Sequence, residues 1–180
     1  MKATASVLIV AAALVTAACG EGHAIFVVDV LSFLSASDSA KAYNVPGGIP
    51  QADSTVSRQF ILPPGFGKSR VDSVSATAAA SLENAAGSGS VTFDVFFSKA
   101  QGSLFTGTPY LSASSGAVSG ADTVPLLPPT TVSLADTVFN TDSLWVGIRA
   151  RLNTNIGPNM TGHLRLTQIR VRVVLQDKFF

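Results

Sequence analysis

Hydrophobic and polar residues alternate with a period of two along much of the chain, which is the spacing of a β-strand with one buried face. The alternation predicts strands over residues 55–62, 68–82, 91–98, 143–152 and 161–176. Within the second of these, a helix over 76–84 is the competing prediction because alanine is the best helix former. The serines and threonines between those alanines favour a strand.

The remaining segments predict shorter elements. The apolar run 25–34 predicts a buried first strand, and the polar stretch 37–51 predicts a turn at Pro46-Gly47-Gly48. Residues 85–89 predict a hairpin loop. Between 102 and 131 we expect loops and short edge strands, because prolines such as Pro125 donate no ladder hydrogen bond and are excluded from a central strand. Edge strands are expected around 109–113, 117–126 and 130–134.

The last alternating segment changes phase. Leu164 and Leu166 share one face, but Ile169 and Val171 share that face only if one extra residue is inserted near Thr167-Gln168. A β-bulge there restores the pattern. Together the segments predict one all-β domain, an antiparallel β-sandwich of jelly-roll or Ig-like type with about seven to nine strands.

Composition supports a folded domain. Hydrophobic residues make up 47% of the chain and charged residues 13%, which provides ample apolar surface for a core. The net charge of +1 gives no general attraction to nucleic acid, so no nucleic-acid partner is expected. Charge is nevertheless uneven, since residues 143–180 hold six basic residues and one acid, and the rest of the chain holds six basic residues and ten acids.

The N-terminus has the features of a secretory signal. Lys2 is followed by an uncharged, apolar run that ends in small residues before Cys19, the chain's single cysteine. The segment Val15-Thr16-Ala17-Ala18-Cys19 resembles the lipobox of bacterial lipoproteins, although Thr16 stands where leucine is usual. The resemblance covers only residues 1–19 and implies cleavage before Cys19 and attachment of lipid to its thiol. Ordinary signal cleavage near Ala18, leaving a free thiol, is the alternative.

This resemblance divides the chain into a signal peptide (1–18, expected to be helical), a short tether with an acylated Cys19 (19–23) and a β-sandwich domain (24–180). It also implies a location in the cell envelope. Gly20 follows the cysteine where an aspartate would signal inner-membrane retention, so the outer membrane is implied if the host has one. A tether of about five residues spans under about 20 Å, which would hold the domain close to its membrane.

One surface is a candidate binding site. The outward positions of 143–152 include Trp145, Arg149 and Arg151. Those of 161–176 are His163, Arg165, Arg170 and Arg172. If the two segments pair as a hairpin, these residues form one face suited to an acidic glycan, a lipid headgroup or an acidic protein. Alternatively, the face is only solvated, or its arginines pair with Asp29, Asp72 or Asp94 on neighbouring strands.

Other chemistries have weaker signals. Residues 65–69 end like a phosphate-binding loop but lack its first glycine, and no Gly-x-Ser-x-Gly motif occurs. The two histidines, His23 in the tether and His163, do not suggest a zinc site. Four oxygen-bearing residues near predicted turns could bind calcium or serve as turn residues: Asp122, Asp136, Asn140 and Asp142. We therefore expect no cofactor, metal or catalytic residue.

The sequence thus leads to two functional hypotheses. The first is a membrane-anchored envelope lipoprotein with a non-enzymatic interaction or structural role. The alternative is a β-sandwich module that binds carbohydrate or another anionic ligand through the tryptophan and arginine face.

Overall fold

The computed structural model describes residues 22–62, 69–134 and 136–177. The predicted signal peptide and Cys19 lie outside this range. The strands are β1 (Gly22–Asp29), β2 (Ala40–Val45), β3 (Ala52–Ile61), β4 (Arg70–Ala86), β5 (Ser88–Ser98), β6 (Leu111–Ser114), β7 (Val118–Ser119), β8 (Asp122–Leu126), β9 (Thr131–Leu134), β10 (Ser143–Thr154) and β11 (Met160–Asp177). A four-residue helix, α1 (Ala36–Ser39), precedes β2, and 3-10 turns occur at Val30–Phe33, Gln101–Ser103 and Thr137–Phe139.

The strands form two antiparallel sheets. Sheet A has the order β1-β11-β4-β8, with β2 also pairing with β11 and β9 also pairing with β4. Sheet B has the order β3-β10-β5-β6, with β7 also pairing with β5. The predicted antiparallel β-sandwich is therefore confirmed, with eleven strands in the described part rather than the expected seven to nine.

The core lies between the inner faces of the two sheets. In β4 the alternate residues Val74, Ala76, Ala78, Ala80 and Leu82 are all at most 6% exposed, as the alternation predicted. A strand, not a helix, therefore forms at the alanine-rich segment. Among the described residues, every buried member of the core cluster lies between Val30 and Leu175.

The predicted bulge in the last strand is confirmed. The register of β11 against β4 shifts between Leu166 and Gln168, which leaves Thr167 as the extra residue. Because of this shift, Leu164 and Ile169 both reach the core, at 7% and 0% exposure.

The prediction of a buried first strand is wrong. β1 is an edge strand whose inner residues alternate with outer ones, and Ile25 and Val27 are 57% and 58% exposed. The strand ends at Asp29, whose carboxylate accepts a hydrogen bond from the Leu31 backbone and starts the 3-10 turn. A continuous apolar run does not reveal which residues face the core, and here it includes an outer face and a turn.

Two other local predictions need correction. Residues 40–45 form strand β2 within the segment that was predicted only to be polar with a turn. Residues 85–89 do not join a hairpin, because β4 belongs to sheet A and β5 to sheet B. Gly87 makes this corner with a φ of 76°, and a Cβ atom there would lie 2.4 Å from the Asn159 carbonyl oxygen.

The buried amide of Asn84 holds the corner between the sheets. Its Nδ2 donates to the carbonyls of Gly87 (3.3 Å) and Gly120 (2.6 Å). Its Oδ1 accepts a hydrogen bond from the hydroxyl of Tyr43 at 2.9 Å. The Asn84 side chain thus connects β2, the corner and the β7–β8 turn. Its oxygen and its nitrogen both have hydrogen-bond partners, as is usual for a buried amide.

Candidate functional site

The predicted site residues fall on opposite faces of the sandwich. β10 lies in sheet B between β3 and β5, whereas β11 lies in sheet A between the β1–β2 edge and β4. The expected pairing of these two segments as a hairpin is therefore wrong. Trp145, Arg149 and Arg151 lie on the outside of sheet B. The other four, His163, Arg165, Arg170 and Arg172, are exposed on the outside of sheet A.

On sheet B, two of the arginines share one carboxylate. Arg151 Nη2 lies 2.9 Å and Arg149 Nη2 lies 3.3 Å from Oδ2 of Asp94, which is the cross-strand partner of Arg149. The Ser112 hydroxyl donates to the other oxygen, Oδ1, at 2.7 Å. The Asp94 side chain is fully buried beneath these groups. Asp94 is one of the three aspartates predicted as alternative partners, and the cluster of two arginines and one aspartate has a formal charge of +1.

The loop between β5 and β6 covers part of this outer face. Phe96 points outward from sheet B, yet it is 1% exposed. The Phe105 ring packs edge-on against it with centroids 5.4 Å apart, and the Arg149 guanidinium lies 4.7 Å from its centroid. The loop fits because β10 has a glycine beneath it. A Cβ atom on Gly147 would lie 2.8 Å from both Leu104 and Phe105.

Trp145 lies at the end of this face, half-buried, and its cross-strand neighbours are Gln59 on β3 and Ser98 on β5. The Nε atom of Arg151 is buried and has no hydrogen-bond partner among the described residues. The outside of sheet B is therefore a partly covered surface on which some of the arginine nitrogens are already paired with Asp94.

The outer face of sheet A is more open. Arg165 pairs with Glu83 at 3.3 Å, with both side chains substantially exposed, so the pair is solvated. Within the described residues, Arg170 and Arg172 form no ion pair. Asp29 is the cross-strand neighbour of Arg170, but its carboxylate caps the 3-10 turn after β1 instead. These two guanidinium groups are therefore available for ligands.

Beside these arginines lies a cluster of exposed apolar side chains that sequence reasoning did not identify. Val27 is the cross-strand neighbour of Arg172. It also lines a groove of about 680 Å³ together with Phe33 and Ile61, which are 64% and 88% exposed. Considering 22–29 as an alternating edge strand would have placed Ile25 and Val27 on the outer face.

A second depression lies between the sheets, where the edge strands β2 and β3 face each other. Its floor is apolar and includes Val91, Ile148 and Leu152, and Lys41 lies at its rim. Asp38 of α1 also lines it and pairs with Arg58 of β3 at 2.6 Å. Hydrogen bonds from Ser35 and Arg58 lower the pKa of Asp38, so this link between the two sheets is ionised at neutral pH.

Two of the four residues considered for calcium form side-chain hydrogen bonds within the fold. Asp136 accepts a hydrogen bond from the Val138 backbone through Oδ1 and from the Tyr110 hydroxyl through Oδ2. Burial, aided by this carboxylate, raises the pKa of Tyr110. Asp122 accepts a hydrogen bond from the Thr123 backbone. In the part of the chain described, no cluster of three or more metal-binding side chains of His, Cys, Asp or Glu occurs. The loop resembling a phosphate site, residues 65–69, lies largely outside the described residues.

Comparisons with known proteins show no family. No protein-family model matches the chain, and no curated protein matches its sequence. Among solved structures, the infectious bursal virus derived T=1 particle is similar with a TM-score of 0.42 and 11% identity, covering 87% of this chain and 36% of that one. The chain thus spans about a third of the length of that particle's protein.

Two other structures of similar size also match. TmCBM61 in complex with β-1,4-galactotriose has a TM-score of 0.31 and 11% identity, with 82% of this chain and 88% of that chain covered. Eiger TNF from S. frugiperda has a TM-score of 0.36 and 6% identity, with coverages of 77% and 93%. At such values the likeness carries no argument about function. Across the described residues, none of the helices has the length and hydrophobicity needed to span a membrane.

Proposed function

We propose that this chain is a lipid-anchored protein of the bacterial cell envelope, with Cys19 as its attachment point and a β-sandwich that acts through interactions or as structure rather than by catalysis. The observation that carries the proposal is the position of the first strand. β1 begins at Gly22, three residues after the single cysteine and its lipobox-like segment. A sandwich joined this closely to an acylated residue would be held at the membrane surface, in the outer membrane if the host has one.

The architecture agrees with such a role in one further respect. The core cluster of the described residues extends from Val30 to Leu175, on the C-terminal side of the proposed cleavage position. Stable anchoring needs more than one acyl chain, because a single chain binds membranes only marginally. The diacylglycerol of a bacterial lipoprotein would meet that requirement.

Membrane fractionation tests the proposal. The chain and a Cys19→Ser variant are expressed in a bacterial host, and the distribution of each between membrane and soluble fractions is measured. We expect the parent in the membrane fraction and the variant in the soluble fraction or retained as an uncleaved precursor. If both are found as soluble, processed proteins in equal amounts, the proposal fails.

The alternative function is a module that binds carbohydrate or another anionic ligand with the outer face of sheet B. Half-buried Trp145 and the partly exposed guanidinium groups of Arg149 and Arg151 support it, since guanidinium groups suit carboxylate and phosphate oxygens. Against it, Asp94 already binds both arginines. Titration with acidic polysaccharides, comparing the parent with Trp145→Ala and Arg151→Lys, would show loss of affinity in both variants if this face is the site.

A further inference from the structure

The exposed apolar side chains of the sandwich are concentrated on one edge. Of the six large hydrophobic residues that are strongly exposed in the described part, four surround β1 and its groove, namely Ile25, Val27, Phe33 and Ile61. Single exposed hydrophobic residues are ordinary, whereas a contiguous group indicates an interaction surface.

Two arginines lie directly beside this group. Arg172 is the cross-strand neighbour of Val27, and Arg170 follows on the same face. Nearby acids reduce but do not cancel their charge, because Asp29 is the acidic cross-strand neighbour of Arg170 and caps a backbone turn. We call the four apolar residues together with Arg170 and Arg172 the β1 edge patch. Apolar side chains beside unpaired arginines fit the boundary between headgroups and acyl chains of an anionic bilayer.

The position of the patch along the chain supplies the partner. Cys19 precedes Gly22 by three residues, which span at most about 10 Å. Ile25 and Val27 are on the strand that starts there. An acyl anchor at Cys19 would therefore hold this edge, and not the far end of the sandwich, against the bilayer. The outer face of sheet B makes a poorer membrane surface, because its two arginines share a buried carboxylate.

We infer that the β1 edge patch docks onto the surface of the membrane that holds the anchor, with Ile25 and Val27 at the acyl boundary and Arg170 and Arg172 on anionic headgroups. This inference rests on the proposed lipid anchor. It adds that the domain has a fixed orientation on the bilayer instead of rotating freely on its tether. Docking turns the outer face of sheet B away from the lipid.

Quenching of a fluorescent label by quenchers attached to lipid acyl chains tests the docking. The acylated protein is reconstituted in vesicles of phosphatidylcholine and phosphatidylglycerol, and a bimane label is attached to a cysteine introduced as Val27→Cys or, in a second variant, Ile25→Cys. Because Cys19 is the chain's single cysteine and is acylated, the introduced thiol is the one that reacts. The control label is at Ile156→Cys, which replaces a side chain 95% exposed in the loop before β11. That loop lies at the opposite end of β11 from Gly22, about 55 Å away.

The expected result is strong quenching by acyl-chain quenchers at positions 25 and 27 and weak quenching at 156. In the Arg170→Ala/Arg172→Ala variant, the ratio of docked to undocked protein should fall about 30-fold, given the usual contribution of an arginine near an anionic surface. The matched control is Lys41→Ala/Lys99→Ala, which removes the same charge from exposed positions away from the patch and should leave quenching unchanged.

Equal quenching at 27 and 156, or equal effects of the two double variants, would overturn the docking while leaving the anchor in place. The mass of the purified protein, measured before reconstitution, separates this result from failure of the anchor. An unmodified Cys19 would overturn both the proposed function and the docking that depends on it.

Discussion

Replacement of Asp94 by alanine should destabilise the domain more than the removal of any exposed charged side chain. The side chain is fully buried and accepts hydrogen bonds or ion pairs from Ser112, Arg149 and Arg151. Removing one partner of a buried ion pair costs about 3–5 kcal/mol. The two arginines are 20% and 37% exposed, so water partly replaces the lost carboxylate, and we expect the lower end of that range, about 3 kcal/mol.

Urea unfolding at neutral pH measures this loss as a lower midpoint with an unchanged slope. For a domain of this size the melting temperature should fall by about 6–12 °C. Arg149→Ala and Arg151→Ala should each cost less, about 1 kcal/mol, because the other arginine keeps Asp94 paired. The matched control is Glu83→Ala, which removes a carboxylate from the exposed pair with Arg165 and should cost less than about 1 kcal/mol. If Asp94→Ala is no more destabilising than Glu83→Ala, the cluster does not stabilise the fold as described.

Three further changes test other parts of the structure. Gly147→Ala places a Cβ atom 2.8 Å from Leu104, so we expect a loss of about 1–2 kcal/mol in urea unfolding and faster hydrogen exchange in the covering loop. Asn84→Ala removes three hydrogen bonds at the corner and should cost about 3 kcal/mol in the same assay. Burial raises the pKa of Tyr43 to about 12, so the folded state favours its neutral form. That stability is complete below about pH 10 and is lost as the pH rises towards 12, and Tyr43→Phe should reduce this loss in alkaline unfolding curves.

Period-two alternation predicted which residues of the long strands face the core. It also placed the bulge at Thr167, because the phase change is visible in the sequence itself. The pairing of Arg149 with Asp94 was among the alternatives for the same reason, since both are outward positions of predicted strands. These features depend on side-chain direction within one strand, which the sequence carries locally.

The choice of sheet for each strand was not predictable in this way. β10 and β11 are consecutive, and a short connection between them suggested a hairpin, yet they pair with different neighbours in different sheets. That outcome depends on contacts between distant segments, such as those of Asn84 with Tyr43 and Gly120. The predicted face that combined Trp145 with all of the arginines was wrong for the same reason, because β10 and β11 lie in different sheets. The β1 edge patch was not predicted, because a continuous apolar run has no alternation that would indicate which side chains face outward.

The most direct test of the account is the mass of the N-terminal peptide of the protein isolated from membranes. We expect a peptide that begins at Cys19 and contains a diacylglycerol on its thiol. A peptide with an unmodified Cys19 thiol would contradict the lipid anchor, and with it the orientation of the sandwich on the membrane.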